Sequence, residues 1–229
     1  MAGARIISLD ADDTLLDGIG QAFKMALPHM GCPFDQELFR KTHSWNTATG
    51  GRPTEELGLL YAEFLCSDLC PPATVIPGSQ EAVETLAPLA RIPILTARSE
   101  QTRMRTMREL HQYYNGRITE GWFSANGTKH RVVEQHGINL HVDDSLLECQ
   151  RIVETAAEVF TILYFNPLTH VPPGTPHRRL IILPTSREDV QDMSSVQLES
   201  LYRQAWQEAT AAALNICELF WPHDDILVM

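Results

Sequence analysis

The chain has 229 residues, of which 44% are hydrophobic and 21% are charged. These are the usual proportions of one globular domain, or of one domain that carries a sizeable insertion. Acidic residues outnumber basic ones by 29 to 18, so the formal charge is −11. A field of that sign disfavours broad nucleic-acid binding and membrane-surface binding. An anionic small molecule could bind only where a metal ion or local cations cancel the repulsion.

Cysteine usage and hydropathy predict a soluble, cytoplasmic protein. The five cysteines are odd in number and include no Cys-x-x-Cys pair, which favours reduced thiols. The early apolar run, residues 6–9, is shorter than the core of a secretory signal peptide. No uncharged apolar stretch approaches the roughly 20 residues that span a bilayer.

Strand-like and helix-like patterns alternate along most of the chain. Apolar runs rich in β-branched residues predict buried strands at 5–9, 92–95, 139–142, 159–165 and 180–183, with a weaker candidate at 117–123. Helical patterns at 80–89, 100–113, 128–136 and 145–154 separate them. This alternation predicts an α/β fold in which a mainly parallel, Rossmann-like sheet has helices on both faces.

Residues 17–74 interrupt the alternation. They contain no convincing strand, only helical patterns at 19–30, 36–43 and 54–69. Connections without structure of their own rarely exceed about 15 residues, so this interval predicts a helical cap inserted after the first strand. The predicted core is then 1–16 and 75–229. An amphipathic helix at 195–220 ends it, and this helix either covers the sheet or forms a homodimer contact.

Carboxylates follow two of the predicted strands. Asp10 and Asp12 come after the first strand, and Asp143 and Asp144 after the strand at 139–142. Ligands of open parallel sheets bind beyond the carboxyl ends of the strands, and residues two apart in extended chain point the same way. Asp10 and Asp12 should therefore face one site, with Asp13 pointing elsewhere. Crowded carboxylates repel one another unless a cation lies among them, and all-oxygen ligation suits Mg²⁺.

Two further residues complete a pattern. Thr96 ends the strand at 92–95 and Lys129 opens the helix at 128–136; each type is common at such positions and carries little weight by itself. The order Asp-x-Asp-x-Thr, then Thr96, then Lys129, then the acid pair at 143–144 resembles the four motifs of the haloacid dehalogenase superfamily. The resemblance spans residues 6–144. Asp13 stands where many members have Gly.

The resemblance implies a mechanism as well as a fold. Asp10 would be the nucleophile of an aspartyl-phosphate intermediate, and Asp12 would protonate the leaving oxygen and then activate water. Thr96 and Lys129 would hold the transferring phosphoryl group. The Mg²⁺ ligands would be Asp10, the backbone carbonyl of Asp12, Asp143 and Asp144. The expected activity is that of a phosphatase acting on a small phosphorylated metabolite.

The inserted helices are expected to select the substrate. A polar break at 43–52 contains His43, Trp45 and Asn46, of which Trp45 could stack on a base or sugar or pack between helices. Ala97 and Arg98, directly after Thr96, are further candidate substrate contacts. The small cap, the run at 142–145 and the Tyr-Phe-Asn-Pro run at 164–167 are similar to the 5′-nucleotidase branch of the superfamily. A phosphotransferase using the same intermediate, and a non-catalytic binding module that keeps the fold, stay open.

Overall fold

The computed structural model describes residues 5–42, 44–124, 128–156, 159–163, 179–182 and 193–220. Its centre is a six-stranded parallel sheet in the order β5-β4-β1-β6-β7-β8. The strands of this sheet are β1 (Ile7–Leu9), β4 (Ile94–Thr96), β5 (Gly121–Phe123), β6 (Leu140–Asp143), β7 (Phe160–Leu163) and β8 (Leu180–Ile182). Each lies within or one residue beyond its predicted range, and the α/β prediction is confirmed.

Helices follow most of the strands, as parallel connections require. They are α5 (Ser79–Leu86), α6 (Arg103–Tyr113), α7 (Lys129–His136), α8 (Leu146–Thr155) and α9 (Ser195–Phe220), with a 3₁₀ turn at Glu100–Thr102. The predicted helix at 100–113 is thus a 3₁₀ turn followed by an α-helix. Helix α9 has the predicted bounds, and its small residues Ala205, Ala209 and Ala213 are buried. Of the helices in the described ranges, none is both long and apolar enough to cross a membrane.

Four helices occupy the interval after the first strand: α1 (Ile19–Ala26), α2 (Gln36–Thr42), α3 (Trp45–Ala48) and α4 (Thr54–Cys66), with a 3₁₀ turn at Leu27–Met30. We call α1 to α4 the inserted helices. Two short strands bracket them, β2 (Leu16–Asp17) and β3 (Thr74–Val75), which pair antiparallel. The sequence-based expectation of no strand at 17–74 is therefore wrong at both ends. Two-residue strands are too short to show a period of two, so only the tertiary pairing reveals them.

Two side chains, one in α6 and one directly after it, bind backbone carbonyls at both ends of the insertion. The Tyr114 hydroxyl, directly after α6, lies 2.9 Å from the carbonyl oxygen of Leu15. The Arg105 guanidinium donates to the carbonyl oxygens of Leu65 (2.6 Å) and Pro71 (2.8 Å). One continuous cluster of buried apolar side chains also runs from β1 into α1 and α4. These contacts fix the inserted helices against β1 and α6.

Candidate active site

A layer of polar side chains lies on one face of the two central strands, β1 and β6. Ser8 is paired with His141 in the parallel register, and the two side chains lie 2.8 Å apart, from Oγ to Nδ1. The other ring nitrogen of His141 lies 2.9 Å from Oδ2 of Asp143. Residues two apart in a strand share a face, so Ser8 and His141 lie on the same face of the sheet as Asp10 and Asp143. These contacts fix the orientation of the Asp143 carboxylate.

Lys129 joins the two strand ends. Its ammonium donates to Oδ1 of Asp10 (2.6 Å) and to Oδ2 of Asp143 (2.7 Å), and the residue is only 3% exposed. Burial alone would lower the pKa of Lys129, but the charges of the two carboxylates outweigh it and raise the pKa. Helix α7 begins at Lys129, which places the ammonium at the carboxyl edge of the sheet. The lysine is thus a permanent cation between two acids.

Three carboxylates lie close enough together to bind one metal ion. Oxygens of Asp10, Asp143 and Asp144 all lie within 4.8 Å of one another. Burial, aided by the charges of Asp143 and Asp12, raises the pKa of Asp10 to about 7. Burial and neighbouring acids also raise the pKa of Asp144 well above its usual value. An all-oxygen donor set with excess negative charge, two of its three residues buried, fits Mg²⁺.

Asp143 behaves differently from its two neighbours. Burial would raise its pKa, but the charge of Lys129 and the hydrogen bond with His141 lower the pKa below the usual value. Its Oδ1 also accepts a hydrogen bond from the backbone N–H of Ser145 (2.8 Å). Hydrogen bonds to the ionised form keep a carboxylate charged. Asp143 therefore stays ionised at any pH near neutrality.

The carboxylate of Asp12 lies outside the group of three. The guanidinium of Arg98 binds it in a bidentate pair, with Nε to Oδ2 at 2.9 Å and Nη2 to Oδ1 at 2.6 Å. Arg98 is buried, and its third nitrogen donates to Thr106 (2.9 Å). Tyr61 of α4 lies close enough to Asp12 to interact with it electrostatically, and burial with that negative charge raises the pKa of the phenol. Asp12 stays 28% exposed, so it is held in place yet reachable.

Thr96 and the residues after it lie at the same edge. Thr96 ends β4, the strand beside β1, and is buried. Its hydroxyl accepts a hydrogen bond from the backbone N–H of Arg98 (3.2 Å). Ala97 is half-buried between them. The structure thus brings Asp10, Asp12, Thr96, Arg98 and Lys129 to one rim of the sheet.

The predicted substrate-selecting break at 43–52 is partly helical, because the Oγ of Ser44 caps α3 by accepting a hydrogen bond from the backbone N–H of Thr47 (3.2 Å). Trp45 packs against the rings of Phe34 and Phe39, at centroid distances of 5.6 and 4.9 Å. Asn46 is exposed. His43, like the run at 164–167, lies outside the described residues.

Several polar residues at this rim were not predicted. His141 and Ser8 could have been found, because each precedes a predicted site acid by two positions in a strand and so shares its face. Tyr61 and Lys24 could not, because their approach to the site depends on how α1 and α4 pack. Asp13 was expected to point elsewhere, and its carboxylate lies against Gly20 of α1. Burial and the charge of Asp12 raise its pKa to about 7, and it interacts electrostatically with Asp144.

The raised pKa values predict a pH-dependent stability in the absence of metal. Asp10 and Asp13 have folded-state pKa values of about 7, against about 4 in an unfolded chain. Their protonated forms favour the folded state, so that stability is lost as the pH rises through about 7. The lowered pKa of Asp143 makes stability rise with pH instead, but only below about pH 4. We expect the unfolding free energy in EDTA to fall by at least about 2 kcal/mol between pH 5.5 and 8.

Urea titrations at several pH values measure this loss. Mg²⁺ should raise stability more at pH 8 than at pH 6, because binding no longer competes with protons. Asp10→Asn should flatten the pH dependence by removing one of the shifted groups. An Asp10→Asn slope identical to that of the unsubstituted protein would contradict the assignment.

Comparison with solved structures places this arrangement in a known fold. A haloacid dehalogenase-like hydrolase from Streptococcus pneumoniae matches with a TM-score of 0.52 at 17% identity, covering 71% of this chain and 85% of its own. A variant of CbbY from Rhodobacter sphaeroides, in complex with xylulose-1,5-bisphosphate, matches with a TM-score of 0.51 at 13% identity, covering 78% and 94%. No protein-family model matches the chain. A search of curated proteins also found no significant match.

The sheet order and these two similarities identify the fold. The chain has the haloacid dehalogenase-like fold, with its parallel Rossmann-like sheet.

Proposed function

We propose that the protein is a Mg²⁺-dependent phosphohydrolase that works through an aspartyl-phosphate intermediate. The observation that carries this proposal is the Lys129 ammonium between Asp10 and Asp143, with Asp144 completing a three-carboxylate group. A carboxylate beside a fixed cation and a metal-binding group is the arrangement that a phosphoryl acceptor needs. A fold without catalysis has no physical need for these buried charges, which argues against a non-catalytic module.

Asp10 is the nucleophile of the proposed reaction. One of its oxygens is bonded to Lys129, and the other attacks phosphorus while the bond from phosphorus to the ester oxygen breaks. Asp12, which must be protonated and released from Arg98 for this step, gives its proton to the departing oxygen. In the second step Asp12 takes a proton from water, the water oxygen attacks phosphorus, and inorganic phosphate leaves as the Asp10 carboxylate is restored. The bidentate pair with Arg98 favours the ionised form of Asp12, which is the form that takes the proton from water in the second step.

Thr96 and Lys129 would bind the non-bridging phosphoryl oxygens, by hydrogen bond and by charge. Mg²⁺ held by Asp10, Asp143, Asp144 and the backbone carbonyl of Asp12 would supply further positive charge next to the transferring group. Electrostatic stabilisation and positioning account for most of the catalysis of phosphoryl transfer.

The substrate would be a small phosphorylated metabolite, and nucleoside monophosphates are included in this class by the resemblance to 5′-nucleotidases. The inserted helices would form a cap over the rim and select the leaving group, since Tyr61 of α4 lies near Asp12. The solved CbbY complex holds a sugar bisphosphate, which extends the candidate class to phosphorylated sugars. We assign the activity to the cytoplasm, where the five cysteines stay reduced.

Release of inorganic phosphate tests the proposal. The panel contains nucleoside monophosphates, sugar phosphates and a chromogenic aryl phosphate, each assayed with Mg²⁺ and with chelator. Mg²⁺-dependent release from at least one compound is expected. Added alcohols should not divert the phosphoryl group; a phosphorylated alcohol in place of free phosphate would identify a phosphotransferase. Phosphate release that persists in EDTA would contradict the metal assignment.

A further inference from the structure

A second buried lysine lies at the same rim, on the side of the inserted helices. Lys24 of α1 is 7% exposed. Its ammonium lies 4.3 Å from the ring centroid of Phe39 and 5.5 Å from that of Trp45. Among the residues that the structure describes, no side chain or carbonyl accepts a hydrogen bond from it. An ammonium group has three N–H donors, and burying them without acceptors is costly.

The position of Asp13 shows which way this part of α1 faces. Gly20 lies one helical turn before Lys24, on the same face of α1. A Cβ atom at Gly20 would lie 3.8 Å from Oδ2 of Asp13, so the carboxylate lies against this face. Asp13 interacts electrostatically with Lys24, with Asp12 and with Asp144. Lys24 therefore lies between the aromatic rings of the inserted helices and the acids of the active site.

The phosphoryl group does not require this cation. Lys129 is already bonded to Asp10 and Asp143, and Arg98 is bonded to Asp12 and Thr106. Lys24 belongs to α1, not to the sheet that carries the nucleophile. In the proposed reaction the leaving group, not the transferring phosphoryl group, faces the inserted helices. A buried cation with unused donors at that position is suited to an anion on the leaving group.

We propose that Lys24, between the rings of Phe39 and Trp45, binds a second anionic group on the leaving group of the substrate. The substrate class is then a phosphate monoester that carries a further carboxylate or phosphate. This inference rests on the phosphohydrolase function proposed above, and it specifies which substrates the site prefers. The two rings favour the lysine charge by cation–π attraction and keep water from the ammonium, which strengthens its attraction to an incoming anion.

Matched pairs of phosphate esters test this proposal. The carboxylate pair is 3-phosphoglycerate against glycerol 3-phosphate, and the phosphate pair is fructose 1,6-bisphosphate against fructose 1-phosphate. For at least one pair we expect kcat/KM to favour the member with the extra anion. Lys24→Met should reduce that preference by about tenfold or more, the effect of losing one charged contact of about 1.4 kcal/mol. Lys24→Arg should retain part of it, since the charge is kept.

Lys41→Met is the matched control, because Lys41 is exposed on α2 and pairs only with Glu37 among the described residues. It should leave the preference unchanged. If Lys24→Met lowers kcat/KM equally for both members of each pair, Lys24 only pairs with Asp13 and the proposal is wrong. A wild-type preference for the members without the extra anion would overturn it as well. Thermal melts of each variant show whether the fold is retained.

A binding measurement separates this proposal from the proposed reaction. Calorimetric titration of Asp10→Asn with the same four compounds, with and without Lys24→Met, reports anion binding in the absence of turnover. Binding that weakens about tenfold with Lys24→Met, only for compounds with the second anion, supports the Lys24 site even if the unsubstituted protein releases no phosphate. Equal binding by both proteins rejects the site, whatever the activity assay shows.

Discussion

Replacing Asp10 with asparagine should lower phosphate release by about 1,000-fold or more while the protein keeps its fold. The amide can still accept the hydrogen bond from Lys129, so the local geometry changes little. An amide is a poor nucleophile, however, and cannot form the aspartyl-phosphate. Initial rates with the best substrate of the panel, measured at saturating Mg²⁺, give the size of the loss.

Asp35→Asn is the control for this experiment. Asp35 is a carboxylate outside the site that accepts a hydrogen bond from the backbone N–H of Leu38 (2.9 Å), and asparagine caps a helix equally well. Its rate should stay within about twofold of the unsubstituted protein. Circular dichroism should show both variants folded. If Asp10→Asn keeps more than about a few per cent of the activity, Asp10 is not the nucleophile.

Lys129→Met should produce the largest loss of stability, about 3–5 kcal/mol in the absence of metal. Methionine fills a similar volume but leaves Asp10 and Asp143 facing each other, both buried, with no cation between them. Breaking a buried ion pair from one side costs far more than breaking an exposed one, because the remaining charge is desolvated and uncompensated. Urea unfolding in EDTA measures the loss.

Added Mg²⁺ should recover part of the stability of Lys129→Met, because a bound cation would compensate the same carboxylates. Activity should stay lost, since the variant lacks the ammonium that is proposed to bind the phosphoryl oxygens. Lys41→Met provides the comparison: its pair with Glu37 is 67% exposed at the lysine, so the expected loss is below about 1 kcal/mol. Equal losses for the two lysine variants would show that Lys129 does not hold the acids together.

The central sheet was predictable from the sequence because its signal is local. Buried parallel strands appear in a sequence as short apolar runs. The predicted bounds agree to within about two residues at each end for β1, β4, β6 and β8. The inserted helices were found by the same local periodicity. The strand pair β2–β3 and the short helix α3 were missed, because each is too short to show a period and depends on pairing or capping between particular residues.

The site was predictable to the extent that topology alone positions residues. Strand ends of a parallel sheet meet at one edge, so Asp10, Asp143 and Thr96 had to lie near one another once the strands were recognised. Lys129 was proposed from its order in the chain relative to these residues, and its ammonium lies between Asp10 and Asp143. The prediction for the Asp12 carboxylate was less complete, because the sequence does not reveal that Arg98 binds both of its oxygens.

The sequence by itself therefore determined the fold class, the edge of the sheet that carries the acids and the residue types of the proposed chemistry. Only the tertiary structure decided how the charges are paired: Lys129 with two acids, Arg98 with Asp12, and Lys24 beside Asp13 and the rings of the inserted helices. The reason is physical. Strand and helix periodicities act over a few residues, whereas side-chain pairing and desolvation depend on packing between segments that lie far apart in the chain.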